Sequence, residues 1–246
     1  MKILTIDIGN TNRKICVVSR GKGGDAVAPL LRDRSDSSVF PEIPEELFPE
    51  TAILSSVVPD QTARHLAWCR DLLGIDPILL TPNLSLPFQF GIPDPGSLGA
   101  DRIADAAWAA IHLPLPAVTV DLGTCSTFNV LDRQKTFLGG AIAPGPALQL
   151  NALRDYAAKL PELLPEAPSS AIGVGTKECM LSGTVLGSAA AVDGLLDRYS
   201  DALGTEPSVV VTGGNAPLLL PYLRHTVRHE PDLLTLGLAE IASLNR

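Results

Sequence analysis

Nowhere in the 246 residues do about 18 apolar side chains follow one another, so no stretch of the sequence reads as a membrane-spanning helix. Basic residues are also scarce: 19 Lys and Arg stand against 27 Asp and Glu, a formal net charge of −8. Nucleic acids and anionic membranes are bound through basic patches that release counterions, so neither partner is expected. The four cysteines, Cys16, Cys69, Cys125 and Cys179, form no Cys-x-x-Cys pair. That argues against zinc or dithiol chemistry and leaves free buried thiols as the expectation. The amino-terminal run Met1–Ile6 meets Asp7 too early for a signal peptide, and a cytoplasmic location is expected. Two familiar nucleotide motifs are missing as well. Gly21-Lys22-Gly23-Gly24 lacks the upstream glycine and following hydroxyl of a P-loop, and Gly173-Val174-Gly175 lacks the preceding strand and third glycine of a dinucleotide fingerprint.

What is present is enough apolar material for a real core, 46% of residues, in a pattern that runs twice. Lys2 to Asp7 reads as a strand, Gly9-Asn10-Thr11-Asn12 as a turn, and Lys14 to Val18 as a second strand. Residues 20–50 are rich in Gly, Pro, Asp and Ser and read as loops and short strands. Ala52 to Val58 reads as a buried strand stopped by Pro59, Asp60 as the cap of a helix to Leu73, and Pro77 to Leu80 as a strand. A helix from Arg102 to Leu113, with Ile103, Ala107 and Ile111 on one face, closes this half. After residue 113 the pattern restarts: strand Ala117 to Asp121, turn Gly123 to Ser126, strand Thr127 to Leu131. A helix through Leu160, a Pro-rich loop, a helix from Thr176 to Tyr199 and a strand Ser208 to Val211 follow. The expected domains are 1–113 and 114–246, each α/β.

The repeat carries chemistry. Asp7-Ile8-Gly9-Asn10-Thr11 and Asp121-Leu122-Gly123-Thr124 both place an acid at a strand end before Gly and polar donors, 114 positions apart. Gly without a Cβ lets main-chain N–H groups close on an anion, and Asn10, Thr11, Thr124, Ser126 and Thr127 add donors. A carboxylate beside phosphates needs an intervening cation, which points to Mg²⁺ carried with ATP near Asp7. Two such loops facing across a cleft can grip a triphosphate. In Pro95-Gly96-Ser97-Leu98-Gly99-Ala100-Asp101-Arg102 a loop delivers an acid and a cation to a helix start, where Asp101 serves either as an ordinary cap or as a working group.

These segments, together with Ser56-Val57-Val58-Pro59, Gly139 to Gly145, Thr212-Gly213-Gly214-Asn215 and Pro231 to Thr235, resemble in order and spacing the motifs of type III pantothenate kinases. The resemblance implies two duplicated actin-like, ribonuclease H-like halves with a nucleotide cleft between them. It also implies phosphorylation of pantothenate by ATP, the first step of coenzyme A biosynthesis. By the same resemblance Asp101 is the general base, and Ile92, Gly99, Ala100, Asp101, Arg102 and Thr176 meet pantothenate. Asp7, Ile8, Gly9, Asn10, Thr11, Asn12, Arg13 and Lys14, with Thr124, meet ATP. Asp121 holds K⁺ or NH₄⁺ unless it serves the water shell of Mg²⁺, and Asp7 serves Mg²⁺, directly or through water. A homodimer lending Thr176 to its neighbour is expected, supported weakly by the apolar face Met180, Val185, Ala189 and Val192 of that helix.

Three positions depart from the family pattern. Ile92 stands where a tyrosine is usual, Gly175-Thr176 where Asn-Thr is usual, and Cys125 where Ala is common. Readings from other classes are a non-catalytic regulator of the same family, and a sugar kinase or phosphohydrolase of the same superfamily.

Overall fold

The computed structural model describes every residue except 10–12, 21–25, 36–39, 57 and 158. The Gly21–Gly24 turn therefore lies outside the described residues. The chain forms two compact units, Met1–Leu113 with Asp232–Arg246, and Pro114–Pro231.

In the first unit, β1 (Lys2–Ile8) is the middle strand of a five-stranded sheet. Ile3, Leu4, Ile6 and Ile8 are all buried, the continuous apolar reading of a strand covered on both faces. β2 (Arg13–Arg20) pairs antiparallel to β1, and β3 (Ala26–Ser35) pairs antiparallel to β2. On the other side β4 (Thr51–Ser56) and β5 (Ile78–Leu79) run parallel to β1, giving the order β3-β2-β1-β4-β5. The ten-residue β3 corrects the expectation of loops and short strands in this region. It is an edge strand, so it tolerates Pro29 at a register shift opposite Val18, and its charged residues disguise it.

α1 (Pro59–Leu73) starts with proline at its first position and ends at Gly74, whose φ of 65° lets its N–H reach the carbonyls of Arg70 and Cys69. Val58, not Asp60, is the capping position. α2 (Ala100–His112) begins two residues earlier than expected. Ile103 and Ala107 are buried, while Ile111 is exposed. α7 (Leu233–Leu244) packs in this unit and not in the second half to which the sequence reading assigned it. It is buried almost all round, and at Gly237 it comes so close to α2 that a Cβ would collide with the Ala104 carbonyl.

The second unit repeats the plan. β7 (Ala117–Leu122) pairs antiparallel with β8 (Cys125–Leu131), which pairs antiparallel with β9 (Thr136–Pro144). β10 (Ser208–Thr212) lies parallel to β7, and β11 (Arg228–His229) parallel to β10. The unit's strand order, β11-β10-β7-β8-β9, therefore matches that of the first: an antiparallel meander on one side of its first strand, parallel strands on the other. The duplication read from the two acid–glycine turns is thus a duplication of topology.

α3 (Pro146–Tyr156) ends at Tyr156 rather than Leu160. The long helix expected from Thr176 is α4 (Thr176–Leu181), a π-helical stretch Ser182–Leu186 and α5 (Gly187–Leu203), and the short α6 (Ala216–Leu219) follows β10. By length and composition Thr176–Leu203 could cross a membrane, but half of its most apolar window is buried. Met180, Val185, Ala189 and Val192 are buried in this unit's own core, so this face is spent internally. All four cysteines are free; Cys16 and Cys69 are buried as expected, but Cys125 is only half-buried and Cys179 is exposed.

Candidate active site

Asp7 sits one residue before the end of β1, half-buried. Sheet register sets Lys14 of β2 opposite it on one side and Ser55 of β4 on the other. Paired residues project to the same face, so a cation and a hydroxyl flank the carboxylate. Ser55, 2% exposed, donates its hydroxyl to Asp7 Oδ1 at 3.1 Å. Ile8 is core, and Gly9 follows it half-buried. Asn10, Thr11 and Asn12 lie outside the described residues. Arg13, grouped in sequence with the phosphate ligands, is 6% exposed; its Nη2 meets Asp33 Oδ2 at 2.8 Å, and its guanidinium lies 5.6 Å from the centre of the Phe40 ring. Its charge is therefore engaged within the first unit.

The Gly99–Arg102 segment forms the entrance to α2. Gly99 is the capping position, and its carbonyl accepts from the N–H groups of Arg102 (3.1 Å) and Ile103 (3.3 Å). The reading of Asp101 as the cap does not hold. It lies in the first turn, half-buried, and its carboxylate folds back to accept from its neighbour's N–H, Arg102, at 2.9 Å. This brings Oδ1 over Gly99, where any Cβ would run into it. Glycine at 99 thus keeps the space in which the Asp101 carboxylate rests. Ahead of this helix, Asp94 closes a tight turn by accepting from Gly96 N–H at 3.1 Å. Ile92, half-buried, follows the short strand β6 (Gln89–Phe90).

In the second unit Asp121 takes the place in β7 that Asp7 takes in β1. Its neighbours in register are Thr127 of β8 and Thr212 of β10. The turn that follows is clamped from two directions. Gly145 donates its N–H to Thr124 O at 3.0 Å, and a Cβ there would lie 2.5 Å from Gly123 O and 2.6 Å from Thr124 O. Asn215 donates its backbone N–H to Leu122 O and its side-chain Nδ2 to Gly123 O, both at 2.8 Å. Gly213, at φ 98°, passes so close to Asp121 and Leu122 that a side chain would strike the carboxylate and the backbone. Thr124 is exposed at the tip of this turn, Ser126 is buried, and Cys125 is half-buried.

Thr176 is the exposed first residue of α4. Glu178 fixes that start by accepting from the N–H groups of Val174 (2.8 Å) and Gly175 (3.2 Å), which hold its carboxyl below the usual carboxylate range. Within each unit the structure therefore groups Asp7 with Lys14, Gly99 with Asp101 and Arg102, and Asp121 with the turn ending in Thr124. Sequence reasoning missed Ser55 and the work of Asn215. The feature that reveals the first, a serine in register with the strand-end acid, is a sheet pairing and not a sequence pattern.

Among the described residues no three His, Cys, Asp or Glu side chains gather as a metal centre. Single carboxylates do not build a protein cage, but they suit Mg²⁺, which keeps most of its waters and is held by one or two carboxylates plus phosphates. Asp7 fits that use. Asp121, whose Oδ1 lies against the backbone of Gly123 and Gly213, offers a carboxylate oxygen of the kind that suits a hard cation.

Solved structures of similar architecture place the fold. A Baf family transcriptional activator from Campylobacter jejuni superposes with a TM-score of 0.63 over 98% of this chain and 97% of its own, at 19% identity. The ethanolamine utilization protein EutJ from Carboxydothermus hydrogenoformans gives 0.52 over 100% and 90%, at 14% identity. At these identities the likeness concerns the fold alone. With the repeated sheet order and the acid–glycine turns, it defines a duplicated α/β protein of two units with matching sheets. The family is defined by sequence: the family model described as type III pantothenate kinase matches residues 3–198. Type III pantothenate kinases of Roseiflexus sp. (strain RS-1) and Akkermansia muciniphila are each 34% identical to the chain, covering 99% and 100% of both partners respectively. The chain belongs to the type III pantothenate kinase family.

Proposed function

We propose that the protein transfers the γ-phosphoryl group of ATP to the primary hydroxyl of pantothenate, giving 4′-phosphopantothenate and ADP. The observation that carries this is the full-length family match joined to an Asp101 carboxylate held at the entrance of α2. In this reading Asp101 accepts the hydroxyl proton as that oxygen attacks the γ-phosphorus and the β,γ-bridging oxygen leaves with ADP. Positioning and charge neutralisation supply most of the acceleration. Gly99, Ala100, Arg102, Ile92 and Thr176 contact pantothenate, and the hydroxyl of Thr176 remains where the usual neighbouring amide is replaced by Gly175. Ile92 offers an apolar contact only. Asp7 through Lys14 and Thr124 hold the phosphates; within that stretch Arg13 acts through its tie to Asp33. Asp7 would hold Mg²⁺ brought with ATP and Asp121 a monovalent K⁺ or NH₄⁺, and these ions would offset phosphate charge.

The protein works as a homodimer in this reading. The Met180–Val192 face does not support it, but exposed apolar residues elsewhere in the second unit do: Tyr156, Ile172 and Val174 are 92%, 82% and 94% exposed. An active monomer in sedimentation at working concentration would contradict the dimer. The reaction itself is tested by ADP release with pantothenate, without it, and with sugars in its place. Release that needs pantothenate is the expected result; release without an acceptor, or with sugars, indicates a different enzyme of the superfamily, and no release a regulator.

A further inference from the structure

The turn after β7 owes its shape to a residue 92 positions away in sequence, Asn215, whose place in the reaction the family motifs leave open. A trans peptide is planar, so its C=O and N–H point in opposite directions. Asn215 Nδ2 draws the Gly123 carbonyl toward itself at 2.8 Å, and the N–H of Thr124, on the same peptide, is thereby turned the other way. The second bond, Asn215 N–H to Leu122 O at 2.8 Å, anchors the clamp to the end of β7 itself. Gly145 holds the next carbonyl, Thr124 O, at 3.0 Å. Two successive carbonyls of the turn are thus tied back by donors from outside it. Of these donors only Asn215 Nδ2 belongs to a side chain, and so only it is open to substitution without rebuilding the backbone.

We propose that Asn215 is a positioning residue for phosphoryl transfer: by holding the Gly123 carbonyl it aims the Thr124 N–H at an ATP phosphate. This rests on the reading of the turn as a phosphate loop. Asn215 need not touch the nucleotide to act. Its loss lets the 123–124 peptide rotate, and the N–H that should meet an anion becomes a carbonyl oxygen that repels one. Gly213 fits the same account, because its missing side chain is what lets the segment bearing Asn215 lie against Asp121 and Leu122.

The test compares Asn215→Ala and Asn215→Asp in the full chain, with KM for ATP and for pantothenate measured separately and ATP binding followed by calorimetry. Asn215→Ala removes the side-chain donor and should raise the KM for ATP about tenfold, leaving the KM for pantothenate within about twofold. Asn215→Asp keeps the shape but sets a carboxylate oxygen against the Gly123 carbonyl, so it should be worse than Ala. A side chain that only fills space gives the reverse order, since Ala loses more volume than Asp, and that order overturns the proposal. So does an unchanged KM for ATP in both variants. If the wild type binds ATP but does not phosphorylate pantothenate, the assigned substrate fails, and the variants' ATP affinities still decide the role of Asn215. Wild type that binds no ATP overturns both.

Discussion

Asp101 and Asp7 are both carboxylates on the first unit, yet their surroundings differ, and the proposed function gives them different work. Among the described residues Asp101 accepts from the local N–H of Arg102 at the start of a helix, and in the proposed reaction its other oxygen takes the proton. Replacing it by Asn preserves the shape and removes the acceptor. Turnover should fall by about 10²- to 10⁴-fold while ATP affinity, read by calorimetry, stays close to wild type. Asp7 is instead held across the sheet by Ser55. Ser55→Ala removes one hydroxyl donor from the half-buried Asp7 carboxylate, at a cost of about 1–3 kcal/mol. Its signature should be a higher Mg²⁺ and ATP requirement with little change in KM for pantothenate. An unchanged Mg²⁺ titration would remove Ser55 from the account.

At the scale of elements, α1 shows how packing makes stability depend on pH. His65 is 1% exposed; its Nδ1 lies 2.7 Å from the Gln61 carbonyl, so Nδ1 carries the proton and Nε2, buried without a hydrogen-bond partner among the described residues, is the unprotonated nitrogen. The ring meets the edge of Phe40, which stacks on Trp68 at 4.7 Å. Burial, helped by the charges of Arg13 and Arg64 against the opposing Gln61 bond, lowers its pKa below 6.5. The unfolded chain then takes up the proton first as pH falls through that value, so folded stability is unaffected above it and is lost below it. The melting temperature should drop between pH 7 and pH 5, with His65 contributing at most about 1.4 kcal/mol per pH unit. A His65→Gln variant should show a shallower slope; an identical slope would contradict this.

The same elements show what a sequence reveals and what it hides. β1, β4, β7 and β10 were legible because central strands are apolar runs bounded by turns. β3 was not, because an edge strand solvated along one side carries Pro29, Arg32 and Asp33 without losing its pairing. Asp7, Asp121 and Gly99–Arg102 could be picked out by residue type at element ends. The contributions of Ser55 and Asn215 depend on contacts 48 and 92 residues away, which no local pattern encodes. Likewise α7, apolar apart from Thr235, Glu240 and Ser243, carries no mark in its sequence of which core it fills.

For the whole molecule, the duplicated plan places one acid next to the end of each unit's first strand, and if each meets phosphate as proposed, each needs its own cation. A bare carboxylate about 4 Å from a phosphate charge would cost about 4 kcal/mol at an effective dielectric near 20. With Mg²⁺ and ATP saturating in Na⁺ or Tris buffer, adding K⁺ or NH₄⁺ should raise turnover in wild type and much less in Asp121→Asn. No response in wild type would return Asp121 to the water shell of Mg²⁺. The central claim is that this acidic, two-unit protein is a pantothenate kinase, and the most direct measurement is ADP release coupled to mass analysis of the acceptor. The account predicts ADP formed in step with pantothenate gaining one phosphoryl group, and loss of both signals in Asp101→Asn. ADP formed while pantothenate stays unmodified would contradict it.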